Sequence, residues 1–211
     1  MHASPDDTSL GGEVDAGPLV VVVGGIDPTG AAGLLRDVAT ARARGARPWA
    51  IGTAWTEQGD GVHRAEPRDL LPLLRRATLV TPNAPEAEAL SGEPVSTPAE
   101  AERAAKALVE RDGLTAVLVK GGHLDRGSGD AVVSDAQTVT DILVTRVGAL
   151  RVHRPRSPGR TPRGTGCALA TALAVELGRG RALAEAVQAA TTWLAGQIAQ
   201  ARDTGGERLL P

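Results

Sequence analysis

The chain has 211 residues, 42% of them hydrophobic, and a net charge of −2. That length suits one large domain with a real core, and the near-neutral balance excludes electrostatic capture of nucleic acid or of an anionic membrane surface. One cysteine, Cys167, excludes an internal disulfide framework and fits a reducing, cytoplasmic compartment. No apolar run reaches the length of a membrane span.

Residues 1–17 are polar and acidic, without the basic start and apolar centre of a signal peptide. They are expected to form a disordered lead-in, with residues 18–211 as a single domain. The continuous β-branched run 19–23 predicts a buried parallel strand. Asp27-Pro28-Thr29-Gly30 is turn chemistry, and 31–44 reads as a helix ended by Gly45. A short strand is expected over 48–53, a helix over 67–76, a strand over 78–81 closed by Pro82, and a helical turn or two over 85–90. Thr97-Pro98-Ala99-Glu100 marks a capped helix start, and that helix should end near Asp112-Gly113. Strands follow over 115–120 and 131–134, then a hairpin of 141–145 and 149–153. Two helices, 167–177 and about 182–201, precede a polar tail. With no Phe, no Tyr and three Trp, the core must be built from Ala, Val and Leu.

Strands alternating with helices imply an α/β fold, a three-layer α/β/α sandwich with a mostly parallel sheet. Ligands of such sheets sit beyond the C-terminal strand ends. Residues 24–27, 53–58, 81–86 and 120–123 should therefore line one edge.

Four segments carry candidate chemistry. In Gly164-Thr165-Gly166-Cys167, the glycines let backbone N–H groups approach an anion, and the following helix turns its positive end to the same point. That end should lower the Cys167 pKa, making it a candidate base or nucleophile; a packing turn is the plain alternative. The glycine-rich stretch 24–37 allows close backbone approach, and Asp37 can accept a substrate hydrogen bond or simply be a surface helix residue. Asn83 and Glu86, three apart, can hold a hydrated Mg²⁺ near phosphates, or be a proline-rich turn with an acidic helix start. Lys120, one of only two lysines, follows a buried strand and can pair with phosphates. His123 reads as an ordinary loop histidine. There is no zinc spacing and no Gly-x-Ser-x-Gly elbow.

These segments resemble, in order, motifs of the hydroxymethylpyrimidine/phosphomethylpyrimidine kinases of thiamine biosynthesis, in the ribokinase-like superfamily. The matching stretches are Gly25 to Asp37, Thr53 to Asp60 around Gln58, Thr81-Pro82-Asn83-Ala84-Pro85-Glu86-Ala87, Lys120-Gly121-Gly122-His123-Leu124 and Arg163 to Cys167. The resemblance implies ATP- and Mg²⁺-dependent phosphorylation of 4-amino-5-hydroxymethyl-2-methylpyrimidine or its monophosphate. It assigns Gly25, Asp37 and Gln58 to the pyrimidine, Asn83 and Glu86 to the metal, and Lys120 and Thr165 to ATP. Gly164 and Gly166 become the anion hole, and Cys167 takes the base position. It also implies that about two strand–helix units are missing between residues 67 and 79. Pro162 and Arg163 stand where the family has Thr-His, and Ala168 replaces a hydroxyl residue. A non-catalytic, regulatory nucleotide- or pyrimidine-binding member of the fold is the alternative. A shortened sheet would leave an apolar edge, which predicts a homodimer.

Overall fold

The structure, a computed structural model, describes residues 17–27, 29–55, 67–124, 138–204 and 206–211. Gln58, the 131–134 strand and nearly all of the expected lead-in lie outside these residues.

Strands β1 (Leu19–Ile26) and β2 (Arg47–Trp55) pair in parallel and are connected by α1 (Gly33–Ala43). As expected, α1 stops at Gly45, whose φ of +69° needs no Cβ. The Ala46 N–H reaches back to the Ala41 carbonyl at 2.9 Å, the bond that closes a helix C-terminus.

A single helix over 67–76 does not form. Pro72 has no N–H to give the Arg68 carbonyl, so a 3₁₀ turn, Pro67–Leu70, is followed by the one-turn α2 (Leu71–Leu74). Next come α3 (Ala84–Ser91) and α4 (Pro98–Glu110). Both carry reciprocal capping boxes, Asn83 with Glu86 and Thr97 with Glu100, and both have proline in the first turn.

Strands β3 (Ala116–Val119), β4 (Thr138–Thr145) and β5 (Gly148–Pro155) form an antiparallel sheet. The expected hairpin is β4–β5, turning at Arg146-Val147. Residues 79–83 run parallel beside β3, with Leu118 N–H on the Val80 carbonyl at 2.8 Å and Lys120 N–H on the Pro82 carbonyl at 2.9 Å. Pro82 cannot donate, so this segment makes isolated bridges rather than the strand expected over 78–81. Two helices follow, α5 (Thr165–Gly178) and α6 (Leu183–Ala199). The expected polar tail is instead a hairpin of β6 (Arg202–Thr204) and β7 (Glu207–Leu209).

Side-chain alternation builds the layers. Val117 and Val119 of β3, with Ile142 and Val144 of β4, pack against α3 and α4. Their neighbours Ala116, Leu118 and Leu143 pack against α5 and α6. This half is a three-layer α/β/α sandwich. Its aliphatic core is small-residue rich, since Ala101, Ala104, Ala105, Ala168, Ala172 and Ala190 are fully buried.

The other half departs from expectation. Val20 and Val22 of β1 pack on α1 and on Val175 of α5, but Leu19, Val21 and Val23 are 54, 53 and 60% exposed. Trp49 and Ile51 of β2 are exposed with them. The run 19–23 is therefore buried on one face only, because a single helical layer covers β1–β2 among the described residues. A continuous, mostly parallel sheet is not what is seen. Among the described residues, parallel pairing is confined to β1–β2, the bridges at 80–83 and one bridge between Arg163 and Leu209, and no ladder joins β1–β2 to the β3–β5 sheet.

Candidate active site

The turn after β1 folds as its sequence predicts. Asp27 Oδ1 accepts from the Thr29 N–H at 3.0 Å and the Thr29 hydroxyl at 2.7 Å. The Gly30 N–H donates to the Asp27 carbonyl at 3.0 Å. Gly33 has φ of +61°, and a Cβ there would strike the Gly25 carbonyl oxygen at the end of β1. Gly164 is the N-cap of α5 with φ of +77°, and a Cβ there would collide with the Ala31 carbonyl. The glycines thus press the start of α5 onto the turn that follows β1. Packing and anion approach both follow from that contact. No side chain caps α5, so its first-turn N–H groups stay available to an incoming acceptor.

Lys120 leaves β3 and reaches the same helix end. Its Nζ lies 3.3 Å from where a Cβ on Gly166 would stand, so a side chain there would crowd the ammonium. The loop is anchored from behind. Gly121 N–H donates to Asp141 Oδ1 at 2.7 Å, and a Cβ on Gly121 would collide with the Thr140 carbonyl. Asp141 has no exposure, and its Oδ2 accepts from Arg154 Nε at 2.9 Å.

Lys120, Asn83, Glu86, Thr165 and Gly166 line one cleft of about 250 Å³. Arg154, Arg156, Arg160 and Arg208 line it too, and Val139, Leu169, Leu194 and Ile198 supply apolar wall. Five basic side chains against one carboxylate make it a site for a polyanion with an apolar portion. The β6–β7 hairpin brings Arg208 here and is held in place. Arg208 Nη1 donates to the Pro158 carbonyl at 2.6 Å, and Arg163 Nη1 binds Glu207 at 2.9 Å.

Asn83 and Glu86 meet in the cleft, but mainly as caps. Glu86 N–H donates to Asn83 Oδ1 at 2.9 Å, and Asn83 N–H donates to Glu86 Oε2 at 2.7 Å. That Oε2 is also 3.8 Å from Lys120 Nζ. The helix-start reading of this motif is thus realised. Among the described residues, no three His, Cys, Asp or Glu side chains converge on a metal position. One half-exposed carboxylate beside a polyanion cleft still fits Mg²⁺, which binds through one or two carboxylates plus substrate phosphates and water.

Cys167 and Asp37 meet on the other flank of the α5 start, where α1 packs on α5. The expected lowering of the thiol pKa does not occur. Burial pushes it up, Asp37 adds to the rise, and the Gly33 N–H and Lys120 only partly offset these. At neutral pH Cys167 is a protonated thiol. Burial also raises the Asp37 carboxyl, against a 2.9 Å hydrogen bond donated by Thr171.

Several contributors were not singled out in the sequence. Asp141 stands inside an apolar strand run, and a buried carboxylate in such a run was a readable signal. Arg163, noted in the sequence only as a departure from the family pattern, donates to the buried Asp27 at 3.3 Å. Burial raises the Asp27 carboxyl, but Thr29 and Arg163 outweigh it and hold it below its ordinary value. Thr171, Arg154, Arg160 and Arg208 had no local signal. No helix among the described residues is long and apolar enough to cross a membrane.

Residues 60–209 match the model of the phosphomethylpyrimidine kinase family. A hydroxymethylpyrimidine/phosphomethylpyrimidine kinase of Salmonella typhimurium is 42% identical over 130 residues, 61% of this chain and 45% of that protein. A thiamine biosynthesis bifunctional protein of Geobacter sulfurreducens is 39% identical over 129 residues, 61% of this chain and 24% of that one. The chain matches less than half the length of these relatives. Pyridoxal kinase of Staphylococcus aureus, solved with AMP-PCP and pyridoxal, superposes with a TM-score of 0.79 at 18% identity, covering 93% of each chain. Its likeness is one of fold. With 150 of its residues matched by the family model, the chain belongs to the phosphomethylpyrimidine kinase family.

Proposed function

We propose that this chain is an ATP-dependent kinase that phosphorylates 4-amino-5-hydroxymethyl-2-methylpyrimidine, its monophosphate, or both, in thiamine biosynthesis. The observation that carries this reading is Lys120 Nζ poised over Gly166 at the uncapped start of α5, within a cleft of basic side chains. Phosphoryl transfer asks chiefly for positioning and charge neutralisation, and this arrangement supplies both.

In this reading Lys120 and Thr165 hold the ATP phosphates, with the guanidinium groups of the cleft adding positive charge. The N–H groups of Gly164 to Gly166 receive the charge that develops on the transferring group. Glu86 and Asn83 would hold Mg²⁺, which when bound offsets phosphate charge. Gly25, Asp37 and Gln58 hold the pyrimidine. Cys167 lies next to the anion hole as a thiol. To act as a base it must first lose its proton to another group, and Asp37 is the neighbouring carboxylate.

The missing strand–helix units belong to this proposal as well, supported by the single helical layer that covers β1–β2 among the described residues. So does a homodimer through the exposed Leu19, Val21, Val23, Trp49 and Ile51. Cytoplasmic residence rests on the single cysteine. The test is ADP release by the full chain with ATP, Mg²⁺ and either pyrimidine. Turnover lost on Lys120→Ala supports the kinase, and a folded protein with no turnover on either compound overturns it.

A further inference from the structure

The α1–α5 contact holds a polar pair that the residue assignments above leave unexplained. Cys167 and Thr171 are four apart on α5, so they share one stripe of the helix. Both face Asp37 of α1: the Thr171 hydroxyl donates to Asp37 Oδ1 at 2.9 Å, and Asp37 lies close enough to Cys167 to act on its charge. Thr171 is itself 4% exposed, and Val175, one turn further along the same stripe of α5, packs with Leu34 and Ala41 of α1. A buried hydroxyl is favourable only when it is hydrogen-bonded, and Asp37 is the partner the structure provides.

We propose that Thr171 is a positioning residue of the kinase site, whose hydroxyl orients the Asp37 carboxylate beside Cys167 and keeps it a charged acceptor for the pyrimidine. The proposal rests on the kinase reading above. Its physical basis is direct. Asp37 is partly desolvated, which favours its neutral form, and a hydrogen bond donated to the carboxylate favours the charged form. Charge on Asp37 rather than on Cys167 leaves the pair with one acceptor and one S–H donor. Among the described residues, few charged or titratable groups face this pair. Lys120 acts on Cys167 from the end of β3, and the Gly33 N–H donates to the sulfur. Arg36, the chain neighbour of Asp37, turns instead to the carbonyls of Leu210 and Pro211.

Thr171→Val keeps the shape and removes the hydroxyl, while Thr171→Ser keeps the hydroxyl. The experiment follows the Asp37 side-chain carboxyl by ¹³C NMR through a pH titration of the ligand-free full chain. It also measures binding of the hydroxymethylpyrimidine and of ADP by calorimetry. Thr171→Val should move the Asp37 titration upward by about one pH unit, the scale of one hydrogen bond to a charged group. It should weaken pyrimidine binding about tenfold and leave ADP binding unchanged, and Thr171→Ser should restore both. An Asp37 titration that Thr171→Val does not move overturns the proposal. So does equal weakening of pyrimidine and ADP. If the titration moves and even the unaltered chain binds no pyrimidine, the kinase reading and the proposed substrate role both fall, and only the Thr171–Asp37 coupling stands.

Discussion

The backbone N–H of Gly121 donates to Oδ1 of Asp141 at 2.7 Å, tying the residue after Lys120 to the centre of β4. The other Asp141 oxygen takes Arg154 Nε at 2.9 Å, so one unexposed carboxylate sets both the lysine loop and an arginine of the cleft wall. Removing one partner of a buried ion pair strands the other. Asp141→Ala should therefore cost about 3–5 kcal/mol by urea unfolding. Asp141→Asn should keep the fold better and still weaken ADP binding. A stability loss below about 1 kcal/mol for Asp141→Ala would contradict this role.

Gly164 and Gly166 should separate cleanly. Gly164→Ala places a Cβ in the Ala31 carbonyl and at φ of +77°, so it should lower the melting temperature markedly. Gly166→Ala meets only the mobile end of Lys120. It should melt within a few degrees of the parent yet bind ADP about tenfold more weakly, a difference of about 1.4 kcal/mol. Calorimetry beside thermal unfolding checks both.

Glu176 of α5 is 1% exposed and is surrounded by arginines, with Arg179 Nη1 at 2.6 Å, Arg181 Nε at 2.5 Å and Arg44 also bonded. Arg44 lies 4.9 Å from the Trp193 ring centre, an attractive cation–ring distance. Burial raises the Glu176 carboxyl, but the arginines outweigh it and hold it below its ordinary 4.5. Its stabilisation is therefore complete above pH 4.5 and is lost as pH falls through the lower folded value. Glu176→Gln should cost about 3–5 kcal/mol at pH 7 and flatten the acid loss of stability. Urea midpoints between pH 3 and pH 7 read both effects.

Cys167 works in the opposite direction. Its folded thiol lies above the ordinary 9.0, so the unfolded chain ionises first. Stability is complete below pH 9.0 and falls as pH rises from there through the folded value. Cys167→Ala should remove that alkaline fall. As the only cysteine, it also reports alone: iodoacetamide labelling of the native chain should be slow at pH 7, and Asp37→Asn should speed it.

Local chemistry was legible wherever a residue acts on its own neighbours. The Thr97–Glu100 cap, the Gly45 helix stop, the Asp27 turn and the β4–β5 hairpin each depend on contacts within a few positions, and each stands where the residues imply. The ordered motifs pointed to the family for the same reason, since they are short backbone-shaping segments. Long-range balance was not legible. Whether 19–23 is covered on one face or two depends on helices elsewhere in the chain. Whether Asn83 and Glu86 cap a helix or hold a cation depends on rotamers.

The Cys167 thiol marks the dividing line. The sequence alone determined that a glycine-flanked cysteine begins an apolar helix, because glycine conformation and helix polarity are properties of the local chain. Only the tertiary structure decided its charge. It packs α1 on α5, partly buries Cys167 and sets Asp37 beside it. Desolvation and a neighbouring carboxylate then outweigh the helix end.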